Sequence, residues 1–155
     1  MAEVEALKEF KDGLELLRNS YAKKALSHFS KADELDKTNP FYMSYMGLAL
    51  AAGEQKWEEA EEICQAALKV RRTQAELYLN LCEVYRLQGK RQDAIEILST
   101  GLTLTKKDAR LAQALRKLGV RRPPVLSFLD RNHFLNMKLG KLRYKVMKSL
   151  GKEAE

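Results

Sequence analysis

The sequence predicts an all-α fold, an α-solenoid of three stacked helical hairpins, on three observations. Only three prolines and eight glycines interrupt 155 residues, and no alternating apolar/polar run of strand length appears. Small residues recur at a fixed interval: Gly13, Gly47 and Cys82 stand 34 and 35 residues apart, and Ala25, Ala60 and Ala94 stand 35 and 34 apart. Between them, apolar residues keep helical spacing until short polar turns break it. A single hairpin cannot bury its apolar faces alone, so a repeat of this length implies stacked neighbours. The chain is long enough for one domain with a real core.

The first helix is expected over residues 3–18, with Leu7, Phe10, Leu14 and Leu17 as its stripe. Asn19 and Ser20 turn the chain into a second helix, residues 21–36, with Ala25, Leu26, Phe29, Ala32 and Leu35 inward. Asn39 before Pro40 is a start signal, an N-cap followed by a proline at the first helical position. The third helix, residues 40–52, is apolar all round, which means cover on more than one face; Gly53 is expected to end it. The fourth runs over residues 56–70, with Trp57 packed over the turn. Thr73 and Glu76 read as a capping box for the fifth helix, which carries Tyr78, Leu81, Tyr85 and Leu87 up to the break at Gln88, Gly89 and Lys90. The sixth carries Ala94, Ile97, Leu98, Gly101 and Leu102 and ends near Leu104. Thr105 with Asp108 repeats the capping logic and opens a seventh helix over residues 106–118, stopped by Gly119. Its Leu111, Ala112 and Leu115 cover the sixth helix, and Arg110, Gln113, Arg116 and Lys117 face water, as a terminal repeat requires.

Beyond residue 119 the character changes. Pro123 and Pro124 force an extended segment, yet Val125, Leu126, Phe128 and Leu129 follow, more apolar mass than a solvated linker carries. A terminal amphipathic helix begins between Asp130 and Phe134 and runs to about Ser149. Leu135, Leu139, Leu142, Val146 and Leu150 form its stripe. The basic residues of this tail include Arg121, Arg122, Arg131, Lys138, Lys141, Arg143, Lys145 and Lys148. The net charge of +7 is therefore uneven. Residues 1–115 hold 17 basic and 18 acidic side chains, net −1, and residues 116–155 hold 11 and 3, net +8. A repeat domain over residues 1–119 and a basic segment over 120–155 follow from this division.

Small residues in register with Tyr78, Tyr85 and Leu98 in the third unit, Cys64 in the second and Phe29 in the first resemble the tetratricopeptide repeat family. The resemblance covers about residues 6–108, as repeats over 6–39, 40–74 and 75–108, with a cap over 106–119. Two departures are visible. The middle unit has one extra residue near Glu54 to Lys56, and Lys37, Arg72 and Lys106 replace the usual closing proline. Basic residues there still suit the negative end of a helix dipole.

The resemblance implies a concave groove lined by the first helix of each repeat, holding an extended peptide or a helix of another protein. Carried over position by position, the groove residues are Leu7, Phe10, Leu14 and Leu17 in the first repeat. In the second they are Phe41, Ser44, Tyr45, Leu48 and Ala51 or Ala52, and in the third Glu76, Leu79, Asn80, Glu83 and Arg86. Some members grip a terminal carboxylate through a Lys/Asn/Arg clamp. Here Phe10 and Leu14 stand where the Lys and Asn would be, which disfavours an acidic C-terminal tail as ligand. The expected function is a non-enzymatic interaction module whose groove takes an apolar segment, the chain's own tail or a second copy included. The alternative is a basic amphipathic tail on an anionic surface, nucleic acid or membrane, the less favoured partner.

No catalytic constellation, phosphate loop or metal spacing is found, so no cofactor is expected. Cys64 and Cys82 fall at buried repeat positions, which with the acidic, h-region-free start favours a reduced, cytoplasmic setting. The longest uncharged run, residues 39–53, is too short for a membrane span.

Overall fold

The computed structural model describes the backbone of residues 2–119 and 134–149. Among these, eight helices and no strands are present: α1 (Ala2–Arg18), α2 (Ala22–Leu35), α3 (Pro40–Glu54), α4 (Trp57–Val70), α5 (Ala75–Leu87), α6 (Arg91–Leu104), α7 (Ala109–Lys117) and α8 (Phe134–Ser149). The chain divides into two compact units, Met1–Gly119 and Val120–Glu155. The extended segment expected over Pro123 and Pro124, with Arg121, Arg122 and Arg131, lies outside the described residues.

In the first unit, α1 with α2, α3 with α4, and α5 with α6 form hairpins, each packed on the next. α7 packs on α6 and α5, with Leu111 fully buried. The repeated small residues are where the helices come closest. A Cβ on Gly13 would lie 2.7 Å from the Phe29 ring, one on Gly47 2.7 Å from Cys64 Sγ, and one on Gly101 2.7 Å from Tyr78. Ala25, Ala60, Ala94, Ala32 and Ala67 are all completely buried. α3, expected to be covered on several faces, buries Tyr42, Ser44, Gly47, Ala49, Leu50 and Ala51 between α2, α4 and α5. Trp57 packs on the main core cluster.

Three helix boundaries differ from the sequence reading. Gly53 does not end α3. The helix continues to Glu54 and closes on Gln55 in the left-handed region, which absorbs the extra residue of the middle repeat. Gly53 is a close-approach glycine instead: its Cβ would meet the Lys23 backbone nitrogen at 2.9 Å. The Thr73/Glu76 capping box does not form. The residue before α5 is Gln74, without a side-chain cap, and Glu76 is engaged elsewhere. α7 starts at Ala109 rather than residue 106, because Lys106 and Lys107 both adopt positive φ, 55° and 62°. Asp108 is the true cap, its carboxylate accepting from Arg110 N at 2.9 Å. Asn39 caps α3 as expected, accepting from Phe41 N at 3.0 Å.

Candidate functional site: one face of the repeat stack

α3 packs on α5 and α5 on α7, Phe10 of α1 meets Tyr42 and Tyr45 of α3, and the groove residues expected from the sequence are carried by α1, α3 and α5. At the α1 end the face is aromatic. The Phe10 ring lies 4.9 Å from Tyr42, 5.3 Å from Tyr45 and 5.7 Å from Phe29, and Phe29 is 5.6 Å from Tyr45. Offset and edge-on pairs at these separations are favourable beyond the area they bury. Phe10 is thus half-buried and mainly a packing residue joining α1, α2 and α3. Leu14 and Leu17 pack on the same cluster, Leu48 and Leu79 on the larger one, and all four remain half-buried. Leu7 is 44% exposed.

Ser44 and Asn80 are not on the open surface. Both are buried, and they satisfy each other: Asn80 Nδ2 donates to Ser44 Oγ at 3.1 Å, from α5 to α3. Cys64 donates to the Ser44 carbonyl at 3.4 Å. The pair is a polar rivet within the repeat interface, where an unpaired amide would be costly.

A second polar chain crosses the same face nearer its surface. Tyr45 Oη donates to Glu76 Oε1 at 2.5 Å, and Arg110 Nη1 donates to Glu76 Oε2 at 2.9 Å. Arg110 also holds Asp108, its guanidinium keeping that carboxyl below the usual range. Burial, with the Glu76 carboxylate second, pushes the Tyr45 hydroxyl upward, so it stays a donor. Three successive first helices, α3, α5 and α7, are linked this way. Arg110, expected simply to face water, is the missed member. A signal was available: Glu76 and Arg110 are 34 residues apart, the same repeat position with opposite charge. Glu83 and Arg86 pair with each other at 2.6 Å on the exposed side of α5.

On α8, Lys138 and Lys141 are exposed, and Leu142 and Val146 are 58% and 48% exposed. Arg143 and Lys145 belong to the same helix. Among the described residues no group of three or more His, Cys, Asp or Glu is placed to hold a metal ion, and no helix is long and apolar enough to cross a membrane. Cys64 and Cys82 are free and buried; burial pushes their thiols up to about 12 and about 11.

Residues 50–118 match the tetratricopeptide repeat family model. No curated protein sequence matches the chain. Among solved structures, the second tetratricopeptide repeat domain of human RPAP3, in complex with an HSP70 peptide SGPTIEEVD, is 19% identical with a TM-score of 0.61, covering 78% of this chain and 100% of that one. The TPR2B domain of yeast Sti1, in a complex with pHsp70, is 17% identical at 0.62, covering 77% and 99%. The Sgt2 domain of Aspergillus fumigatus is 17% identical at 0.62, covering 86% and 93%. These likenesses are in fold. The repeat sequence over residues 50–118 and the repeat architecture of α1 to α7 support assignment to the tetratricopeptide repeat family.

Proposed function

We propose that the protein is a non-enzymatic interaction module whose α1–α3–α5 face takes an apolar segment of a partner protein. The observation that carries this reading is the chemistry of the face. Phe10, Leu14, Leu17, Tyr45, Leu48 and Leu79 give it a half-buried apolar strip. Its central carboxylate, Glu76, is already held by Tyr45 and Arg110. An acidic tail such as the SGPTIEEVD peptide bound to the RPAP3 domain would meet apolar side chains at Phe10 and Leu14 and a like charge at Glu76. An apolar segment meets neither obstacle. The two buried free cysteines suit a reducing, cytoplasmic setting.

The chain's own residues Val125, Leu126, Phe128 and Leu129 have the composition such a face accepts, so internal or exchanged docking of the tail is part of this proposal. The exposed Lys138 and Lys141 beside Leu142 and Val146 favour a second reading, in which α8 lies on an anionic surface.

The test is titration of the full chain with fluorescent peptides. A leucine-rich neutral peptide should bind more tightly than SGPTIEEVD, and Leu14→Glu with Leu48→Glu should abolish that binding. Phe128→Asp with Leu129→Asp should raise apolar-peptide affinity by removing the internal competitor. Preferential binding of the acidic peptide would refute the proposal.

A further inference from the structure

Arg110 lies in the first turn of the cap helix α7, and its side chain is 56% exposed. An exposed arginine ordinarily keeps most of its rotamer freedom, and a solvated ion pair adds little to stability. Arg110 is held differently. Its Nε and Nη2 donate to the two oxygens of Asp108 at 3.2 and 3.1 Å, a fork that fixes the plane of the guanidinium. Asp108 is itself fixed, because the same carboxylate caps α7 by accepting from Arg110 N at 2.9 Å. The remaining nitrogen, Nη1, is thereby aimed at Glu76, whose Oε2 it reaches at 2.9 Å.

Glu76 has one oxygen for each neighbour. Oε2 takes Arg110, and Oε1 accepts from Tyr45 Oη at 2.5 Å. Without the arginine, a half-buried carboxylate in the first turn of α5 can turn to water, and the Tyr45 hydroxyl loses a fixed acceptor. The Tyr45 ring rests on Phe10 at 5.3 Å and Phe29 at 5.6 Å. Packing holds the body of the side chain, and the hydroxyl bond, being directional, sets where its tip lies. The bonds join α3, α5 and α7 across 31 and 34 residues of sequence, so they run from repeat to repeat rather than along one helix.

We infer that Arg110 is a positioning residue for the peptide face: acting through Glu76, it places the Tyr45 side chain. The cap helix α7, which contributes nothing to the α1–α3–α5 apolar strip, thus sets the shape of that strip beside Tyr45. The effect on a ligand presupposes the proposed function, whereas the placement of Tyr45 does not.

The experiment takes two readouts on the full chain. The first uses no ligand. The chain is made with isotope-labelled tyrosine, and the Tyr45 ring signal is identified by its loss in Tyr45→Phe. Arg110→Ala should shift that signal and speed the flipping of the ring, while leaving Tyr85, bonded to Glu61 at 2.9 Å, unchanged. An unmoved Tyr45 signal would overturn the inference. The second is a double-mutant cycle on affinity for the leucine-rich neutral peptide. Arg110→Ala should weaken binding roughly 3- to 10-fold, the scale of one side chain that must be ordered on binding. It should add no loss in Tyr45→Phe, where no hydroxyl is left to position. A lost ion pair that merely loosened α7 would weaken both backgrounds alike; that result, or wild-type affinity in Arg110→Ala, overturns the inference. Asp108→Asn keeps a cap for α7 but weakens the fork, and should move both readouts in the same direction by less. It carries the test if Arg110→Ala loses helix content by circular dichroism. If the wild-type chain binds no apolar peptide, the proposed function falls, and the tyrosine signal alone decides the role of Arg110.

Discussion

Replacing Gly47 by Ala sets two well-known effects against each other. In an open helix interior, Gly→Ala stabilises by about 0.8–1 kcal/mol. At Gly47 the new Cβ would lie 2.7 Å from Cys64 Sγ and 2.9 Å from the Ala60 carbonyl oxygen. Ala60 and Cys64 are both completely buried, and the second obstacle is backbone, which cannot rotate aside. α3 and α4 must separate by several tenths of an ångström, disturbing the Cys64–Ser44 hydrogen bond at 3.4 Å. Overpacking of this kind costs ~1–3 kcal/mol, and contact with backbone puts the cost in the upper half of that range. The net expectation is a loss of ~1–2 kcal/mol. With a urea dependence of ~1–3 kcal/mol per M, the unfolding midpoint should fall by about 0.5–1 M. Urea titration followed by circular dichroism at 222 nm (the helical signal) reads this directly. A midpoint that rises would mean that propensity wins, and that the small residues do not set the helix spacing.

Ala60→Leu and Ala94→Leu, both at fully buried positions, should each cost ~1–3 kcal/mol, whereas Glu58→Ala on the exposed side of α4 should stay within ~0.5 kcal/mol; equal urea shifts would contradict the burial pattern. Glu76→Lys removes the Arg110 pair and leaves the half-buried Tyr45 hydroxyl without its acceptor, so it should cost ~1–3 kcal/mol, yet raise affinity for SGPTIEEVD; unchanged affinity would show that Glu76 does not exclude acidic peptides. Stability should fall in alkali. The folded chain raises the thiols from the usual 9.0 to about 12 at Cys64 and about 11 at Cys82, and the Tyr85 phenol from 10.0 to about 12. The unfolded chain therefore releases these protons first. Their contribution is intact below pH 9 and is lost as pH rises toward 12, which thermal melts at pH 8 and pH 10.5 should register. A thiol reagent at pH 8 should modify Cys64 slowly until the chain is unfolded.

The repeat architecture was legible because it rests on one requirement, that paired helices approach closely. Gly13, Gly47, Ala60, Ala94 and Gly101 meet it with residue types that few other demands select. The Asn39–Pro40 start was equally plain, since a cap and a proline act within one turn of chain. Gly53 misled because glycine serves both a helix stop and a close contact, and only the position of Lys23 tells them apart. Thr73 and Glu76 had the spacing of a capping box, but Tyr45 and Arg110 compete for the same carboxylate, and they come from helices 31 residues before and 34 after it. Among the expected groove residues, spacing did not give depth. Ser44 and Asn80 share groove positions with Leu48 and Leu79, and only the packing of α5 on α3 turns the first two inward.

On the proposed function, the same face would have to hold the stack together and remain open to a partner, and its two ends would divide these tasks. Toward α5 and α7, the hydrogen-bonding capacity is spent internally: Asn80 on Ser44, Tyr45 and Arg110 on Glu76, Arg86 on Glu83. A ligand there would have to break an existing bond for each one it made, which leaves little net gain. Toward α1 the side chains are apolar, and Leu7, Leu14 and Leu17 keep part of their surface in water. Covering that surface would displace water without breaking any bond, so the free energy of the proposed association would concentrate there. Specificity would then follow from shape around the Phe10 and Tyr45 rings, which are fixed by their contacts with Tyr42 and Phe29. A rigid aromatic rim beside flexible leucines would select a segment with one or two bulky apolar side chains, and would do so without any charge in the ligand.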